Sequence, residues 1–167
     1  DYSHAEGAYT QSIGVLSHAE GASTQSIGDN SHAEGNGTFS IGMTSHAEGD
    51  ATKSLGDYSH AEGYATQSIG KWSHSEGQNT QSIGDYSHAE GLSTVTNGNY
   101  QHALGQFNVT GNTTQSAFII GNGTNNLNRS NLLFAAGNEV NISGKTVTTN
   151  FQMTSGATDS YVLTSDS

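Results

Sequence analysis

Residues 3–16 read SHAEGAYTQSIGVL, and residues 17–30 read SHAEGASTQSIGDN. The same phrase returns every fourteen residues, placing histidine at His4, His18, His32, His46, His60, His74, His88 and His102. One glycine series follows the histidines, Gly7 through Gly105, and a second lies midway between them, Gly14 through Gly98. Each unit therefore divides into two heptads, S-H-A-E-G-x-x and T-x-S-I-G-x-x. A glycine in every heptad would cost a helix about 1 kcal/mol each, and no paired apolar a and d positions exist to form a coiled coil. With a period of two, Ser3, Ala5 and Gly7 share one strand face and His4 and Glu6 the other. Thr10, Ser12 and Gly14 likewise oppose Gln11 and Ile13.

Each heptad is then a five-residue strand plus a two-residue corner, with glycine allowing the chain to turn. Two strands and two corners make one coil of a flattened, all-β parallel solenoid. Its interior accepts only the Ser, Ala, Thr and Gly face, because opposed walls so close together leave no room for larger groups. Stacking at about 4.8 Å gives seven coils a height of roughly 34 Å. Ile13, Ile27, Ile41, Leu55, Ile69 and Ile83 then form an aliphatic stripe on the outside. Such a stripe needs a covering partner, and the simplest is the same stripe on two further copies around a shared axis.

Composition agrees with a narrow, regular object. Of 167 residues, 31 % are apolar and 11 % charged, with 22 glycines, so no wide aliphatic core is expected. The net charge of −11 and only four Lys and Arg disfavour nucleic acid and attraction to anionic membranes. Without cysteine there is neither a disulfide nor a thiolate metal site. No segment reads as a signal peptide or a membrane span, and because the pattern begins and ends in mid-phrase, we read a fragment of a longer protein.

The half-repeat T-x-S-I-G resembles the S-V-A-I-G strand of the YadA-like head repeat of trimeric autotransporter adhesins. The S-H-A-E-G phrase resembles the variant of that repeat in bacteriophage tail fibres. The resemblance covers residues 1–105, and AFIIGNGTNNLNRSN (117–131) and TSGATDSYVLTSDS (154–167) are also similar to phage fibre segments. It implies a left-handed parallel β-roll assembled as a homotrimer. The implied function is that of a rigid spacer in a virion tail fibre, with host-surface attachment as a further role. Partners would be other fibre or baseplate proteins and a host receptor. The head of a bacterial trimeric adhesin is the alternative. Where the family has Val, Gln11 and Gln25 stand here, which narrows the apolar stripe.

The repeated His-x-Glu pairs are His4 and Glu6, His18 and Glu20, His32 and Glu34, His46 and Glu48, His60 and Glu62, His74 and Glu76, and His88 and Glu90. Their form is shared with zinc deaminases, but those also need P-C-x-x-C, and this chain has neither Pro nor Cys. A catalytic constellation is assembled once from distant segments rather than copied into every coil, so we expect no enzyme. Stacking aligns the imidazoles in one column and the carboxylates in another, where like charges about 4.8 Å apart repel. Hydrogen-bonded His–Glu contacts, within or between chains, are the structural account; solvated side chains and bound cations are the alternatives. We expect no metal and no cofactor. Near-constancy of these pairs beside variable corners argues for a structural role.

Tyr9, Tyr64 and Trp72 at corners are candidate receptor contacts, with scattered exposed aromatics as the plainer account. An inward-facing Thr ladder excludes ice binding, and the roll has no non-repeated acidic pair for polysaccharide cleavage. The repeat decays at Asn97 and Leu104, and Leu104, Phe107 and Val109 are expected to cap the last coil. We divide the chain into the roll (1–105), a cap and transition (106–137) and a β-rich connector or neck (138–167). In the connector, Val140 and Ile142 alternate, then Val147, Thr149, Phe151 and Met153, with Ser143-Gly144 between, which suggests a hairpin or an interchain β-prism; an extended connector is the alternative.

Overall fold

The computed structural model describes residues 2–144; Val147, Thr149, Phe151, Met153 and the 154–167 stretch lie outside them. Among the described residues there is no helix. The chain winds into an all-β parallel solenoid of about eight fourteen-residue turns. Each turn has a long strand, His4–Ala8 in the first and His102–Gln106 in the eighth, and all but the last also have a short one, from Gln11–Ser12 to Val95–Thr96. The long strands form one continuous sheet and the short strands a second, seven-stranded sheet. Register is fourteen throughout, so His4 lies on His18, Glu6 on Glu20 and Gly7 on Gly21.

The interior is made of small side chains, as their spacing requires. Ala19, Ala33, Ala47, Ala61, Ala89 and Ala103 have no exposed surface, nor have Thr24, Thr38, Thr52, Thr66, Thr80 and Thr94, or Ser26, Ser40, Ser54, Ser68 and Ser82. Serine hydroxyls tie the two walls together: Ser26 meets Ser31 at 2.6 Å, and Ser31 donates to the Gly28 carbonyl at 2.6 Å. Ser75 replaces the usual alanine, and its hydroxyl reaches the Gln67 carbonyl at 2.8 Å and Ser82 at 2.7 Å. A buried polar atom is tolerated there because it has partners.

The series Gly7 to Gly105 has φ between 91° and 112°, a turn conformation that glycine permits, as expected; the Gly14 to Gly98 series has no positive φ, so its role is not to turn the chain. Other residues also turn the corners: Leu16, Ser23, Asn30, Thr44, Ala51 and Tyr58 all have φ between 55° and 58°. Left-handed backbone costs such residues roughly 1–2 kcal/mol each. A hydrogen bond to the preceding coil offsets that cost, as in Ser23 N–H to Ala8 C=O at 2.8 Å and Tyr58 N–H to Met43 C=O at 2.8 Å. The repeat glycines mark where successive coils touch through their backbones. A Cβ on Gly56 would stand 2.1 Å from the Gly70 carbonyl oxygen, and one on Gly7 2.0 Å from that of Gly21.

The last coil is closed by amides rather than by the expected apolar cap. Val109 is 44 % exposed, and Leu104 and Phe107 are half-buried; Gln101 and Asn108 are the buried residues. The Asn108 amide accepts from Val95 N–H at 2.8 Å and donates to Val95 C=O at 2.9 Å. It thus supplies the pairing that a further short strand would have given. Gln101 accepts from Asn97 N–H and donates to the carbonyls of Asn112 and Thr114. Apolar side chains could not satisfy that edge.

Phe118–Asn122 then adds to the long-strand sheet in parallel, with Phe118 opposite His102. Asn131–Ala136 and Glu139–Ile142 follow antiparallel. Ile119 packs with Ala103 and Ala117, covered by Phe134 and Ala136. This hairpin places Val140 and Ile142 in its second strand and turns at Gly137-Asn138; the segment expected beyond Ser143-Gly144 lies outside the described residues.

The two kinds of glycine position give opposite expectations. Gly56→Ala should destabilise the chain by about 3 kcal/mol or more, since backbone must move to admit the methyl. Gly37→Asn should be neutral or stabilising by about 0.5 kcal/mol, because Gly37 is a left-handed corner with nothing nearer than 4.0 Å to its Cβ position. Denaturant unfolding of both variants would check this; equal losses would contradict the close-approach account.

Candidate functional site

Three outer surfaces deserve comparison: the long-strand wall, the short-strand wall and the corners. On the long-strand wall every second side chain points out, so the fourteen-residue register makes each histidine stack on the next. Successive rings from His4 to His102 lie 4.6–5.0 Å apart, and those between His18 and His74 are within 5° of parallel. Phe118 ends the column, edge-on to His102 at 5.5 Å. The glutamates form the expected second column.

The imidazoles and carboxylates are adjacent but do not hydrogen-bond within the chain. His18 Nε2 lies 3.7 Å from Glu20, His46 3.9 Å from Glu48 and His74 3.8 Å from Glu62. Those distances exceed hydrogen-bond range. From His18 to His102 each Nε2 is sealed from solvent and lacks a hydrogen-bond partner. The within-chain form of the expected contact is therefore absent among the described residues.

Burial pushes the imidazole pKa of His32, His46 and His74 below the ordinary value of 6.5, and the flanking rings push it further. For His46 the flanking ring is His60, and Glu34, Glu48 and Glu62 oppose the shift. Neutral rings are thus favoured at these three positions.

On the short-strand wall the aliphatic stripe faces outward as expected. Exposure falls from 59 % at Ile13 to 36 % at Ile83, with Ile27 and Leu55 half-buried. Phe39, Ile41, Lys53, Leu55 and Gln67 line a shallow groove there, and the Lys53 ammonium lies 5.7 Å from the Phe39 ring centre. Glutamine and lysine stems cover part of the stripe.

The three candidate receptor contacts are not brought together. Tyr64 ends the fifth long strand at one corner and Tyr9, 88 % exposed, follows the first long strand at the same corner about four coils away. Trp72 is at the opposite corner, where its faces are covered by Tyr58 at 5.6 Å and Tyr86 at 4.8 Å. Tyr100 continues the stack. Trp72 therefore offers edges, not a face, to a ligand.

Sequence reasoning overlooked the corner acids. Asp29 accepts the Val15 N–H at 2.8 Å, Asp57 that of Met43 at 3.1 Å, and Asp85 that of Lys71 at 2.8 Å. The Lys71 ammonium, 3.1 Å away, holds the Asp57 carboxyl below the usual carboxylate range, assisted by the Met43 N–H. The signal was available as Asp spaced in multiples of fourteen at one corner. No protein-family model matches the chain, and no curated protein shows significant similarity to it.

Because the folded pKa of His32, His46 and His74 is depressed, their contribution to stability is present above the unfolded value of 6.5 and is lost as pH falls through the folded value. The melting temperature should therefore be level above about pH 7 and decline on acidification below it. A melting temperature that rises between pH 7 and pH 6 would show instead that charged rings are stabilised against the glutamates.

Proposed function

We propose that the chain is a structural segment of a homotrimeric phage or phage-like tail fibre, acting as a rigid, non-enzymatic spacer. The carrying observation is the outward aliphatic column Ile13, Ile27, Ile41, Leu55, Ile69 and Ile83, which the chain's own residues leave partly exposed. Three such columns around one axis would remove it from water, as in the left-handed β-roll trimers that the repeat resembles. Coil-to-coil hydrogen bonding at both walls and both corners supports a stiff rod. A trimer also presents three identical outer surfaces, so weak single contacts could sum to firm host attachment. The proposed location is a virion fibre or particle surface, beside other fibre or baseplate proteins, with a host-surface receptor as the attachment partner.

Light scattering after size exclusion should return three times the chain mass. The double variant Ile41→Asp and Ile69→Asp should shift the population to monomer, since each trimer would bury six carboxylates at its axis. Circular dichroism should stay β-like, because neither side chain enters the roll. A monomeric parent chain would overturn the proposal.

A further inference from the structure

We propose that the His–Glu wall is a binding column for divalent transition-metal ions of the zinc class. One nitrogen or oxygen from each of Glu34, His46 and Glu48 lies within 4.8 Å of the others, and the same holds for Glu62, His74 and Glu76. His88, Glu90 and His102 form a third such group. A fourth, Glu48, His60 and Glu62, shares one carboxylate with each of the first two. Three groups can therefore be filled at once without any shared ligand.

Two observations beyond the clustering point to a cation. The first is the unpartnered nitrogen. In every group the histidine Nε2 is sealed from water and without a hydrogen bond, yet a carboxylate oxygen lies 3.9 Å from His46, 3.8 Å from His74, 3.6 Å from His102 and 3.3 Å from His88. Those separations are long for a hydrogen bond. They are close to the roughly 3.3 Å between ligand atoms held at about 2.0 Å around a tetrahedral ion. Small side-chain movements would bring the atoms into place.

The second is the pattern of negative charge along the rod. At the corner column Asp29, Met43, Asp57, Lys71, Asp85 and Asn99, no two acids occupy successive coils. On the wall, Glu6 to Glu90 occupy seven in succession, and none of the hydrogen bonds among the described residues ends on those carboxylates. One column separates its charges; the other accumulates them. An open groove of about 460 Å³ runs along Glu34, Glu48, Glu62 and Glu76, so the carboxylate side of each group is open to an ion and to water, while the imidazole Nε2 is reached from it by side-chain movement.

The donor set selects the metal. Carboxylates alone would suit calcium or magnesium, whereas one or two imidazoles per site favour zinc and its neighbours. Each dication would offset two carboxylates, so three ions would neutralise most of the column and join successive coils.

The test is calorimetric titration of the metal-stripped chain with ZnCl2, alongside thermal melting with ZnCl2, CaCl2 or MgCl2. We expect at least one and up to three zinc ions per chain, and a melting temperature raised by about 5 °C or more, reversed by EDTA. Calcium and magnesium should leave it unchanged. The triple variant Glu48→Gln, Glu62→Gln and Glu90→Gln removes one carboxylate ligand from each of the three separate groups and two from the fourth, while keeping side-chain shape and relieving repulsion. It should melt no lower than the parent without metal, yet bind zinc at least about tenfold more weakly. Fewer than one ion per chain, no thermal response, an equal response to calcium, or unchanged binding by the variant would each overturn the proposal.

Discussion

The structure depends on backbone meeting backbone between successive coils. At the glycine columns the next coil's carbonyl oxygen stands 2.0–2.4 Å from where a Cβ would be, through most of the roll. That contact holds the coils in strict register, because a shift of one residue would drive a side chain into a carbonyl. The same closeness keeps the interior to Ala, Ser, Thr and Gly, whose buried surfaces are individually small. Stability must therefore come from many repeated small contacts and from the hydrogen bonds that link each coil to the next, rather than from a wide apolar core.

Strict register forces like onto like. For neutral, flat groups this is favourable: imidazole lies on imidazole, and Tyr58, Trp72, Tyr86 and Tyr100 form one continuous stack. For charges it is costly. The corner sequence answers by interleaving Asp57, Lys71 and Asp85, with the lysine ammonium paired to the acid below it. The glutamates have no such interleaving, and the burial-lowered pKa of His32, His46 and His74 withholds positive charge from the column beside them. The wall that varies least is thus the one whose acids follow one another without interruption.

The end of a solenoid raises a different demand. Its last strand edge offers unpaired backbone donors and acceptors, and only polar groups can satisfy them. Asn108 and Gln101 do so with side-chain amides, which carry the same donor and acceptor as a peptide unit. Leu104, Phe107 and Val109 were read as the cap because hydrophobicity is the more visible signal in sequence. An amide that imitates a strand cannot be distinguished there from any other Asn or Gln in a loop.

Much of the fold was legible because the repeat is its own alignment. Period two within each heptad placed Ala19 and Ser26 inside and His18 and Ile27 outside, and the fourteen-residue recurrence implied the His and Glu columns. These follow from local geometry: strand alternation and coil length are properties of the chain's own covalent spacing. What tertiary structure decided is everything that depends on the neighbouring coil. It added close approach between coils to the turning role of glycine and gave further corners to left-handed Leu16, Asn30 and Tyr58, with the strain at Asn30 and Tyr58 offset by a partner in the preceding coil. It also covered the faces of Trp72 and left the histidine Nε2 atoms without partners, because distances between stacked side chains are set by packing, which no residue type announces.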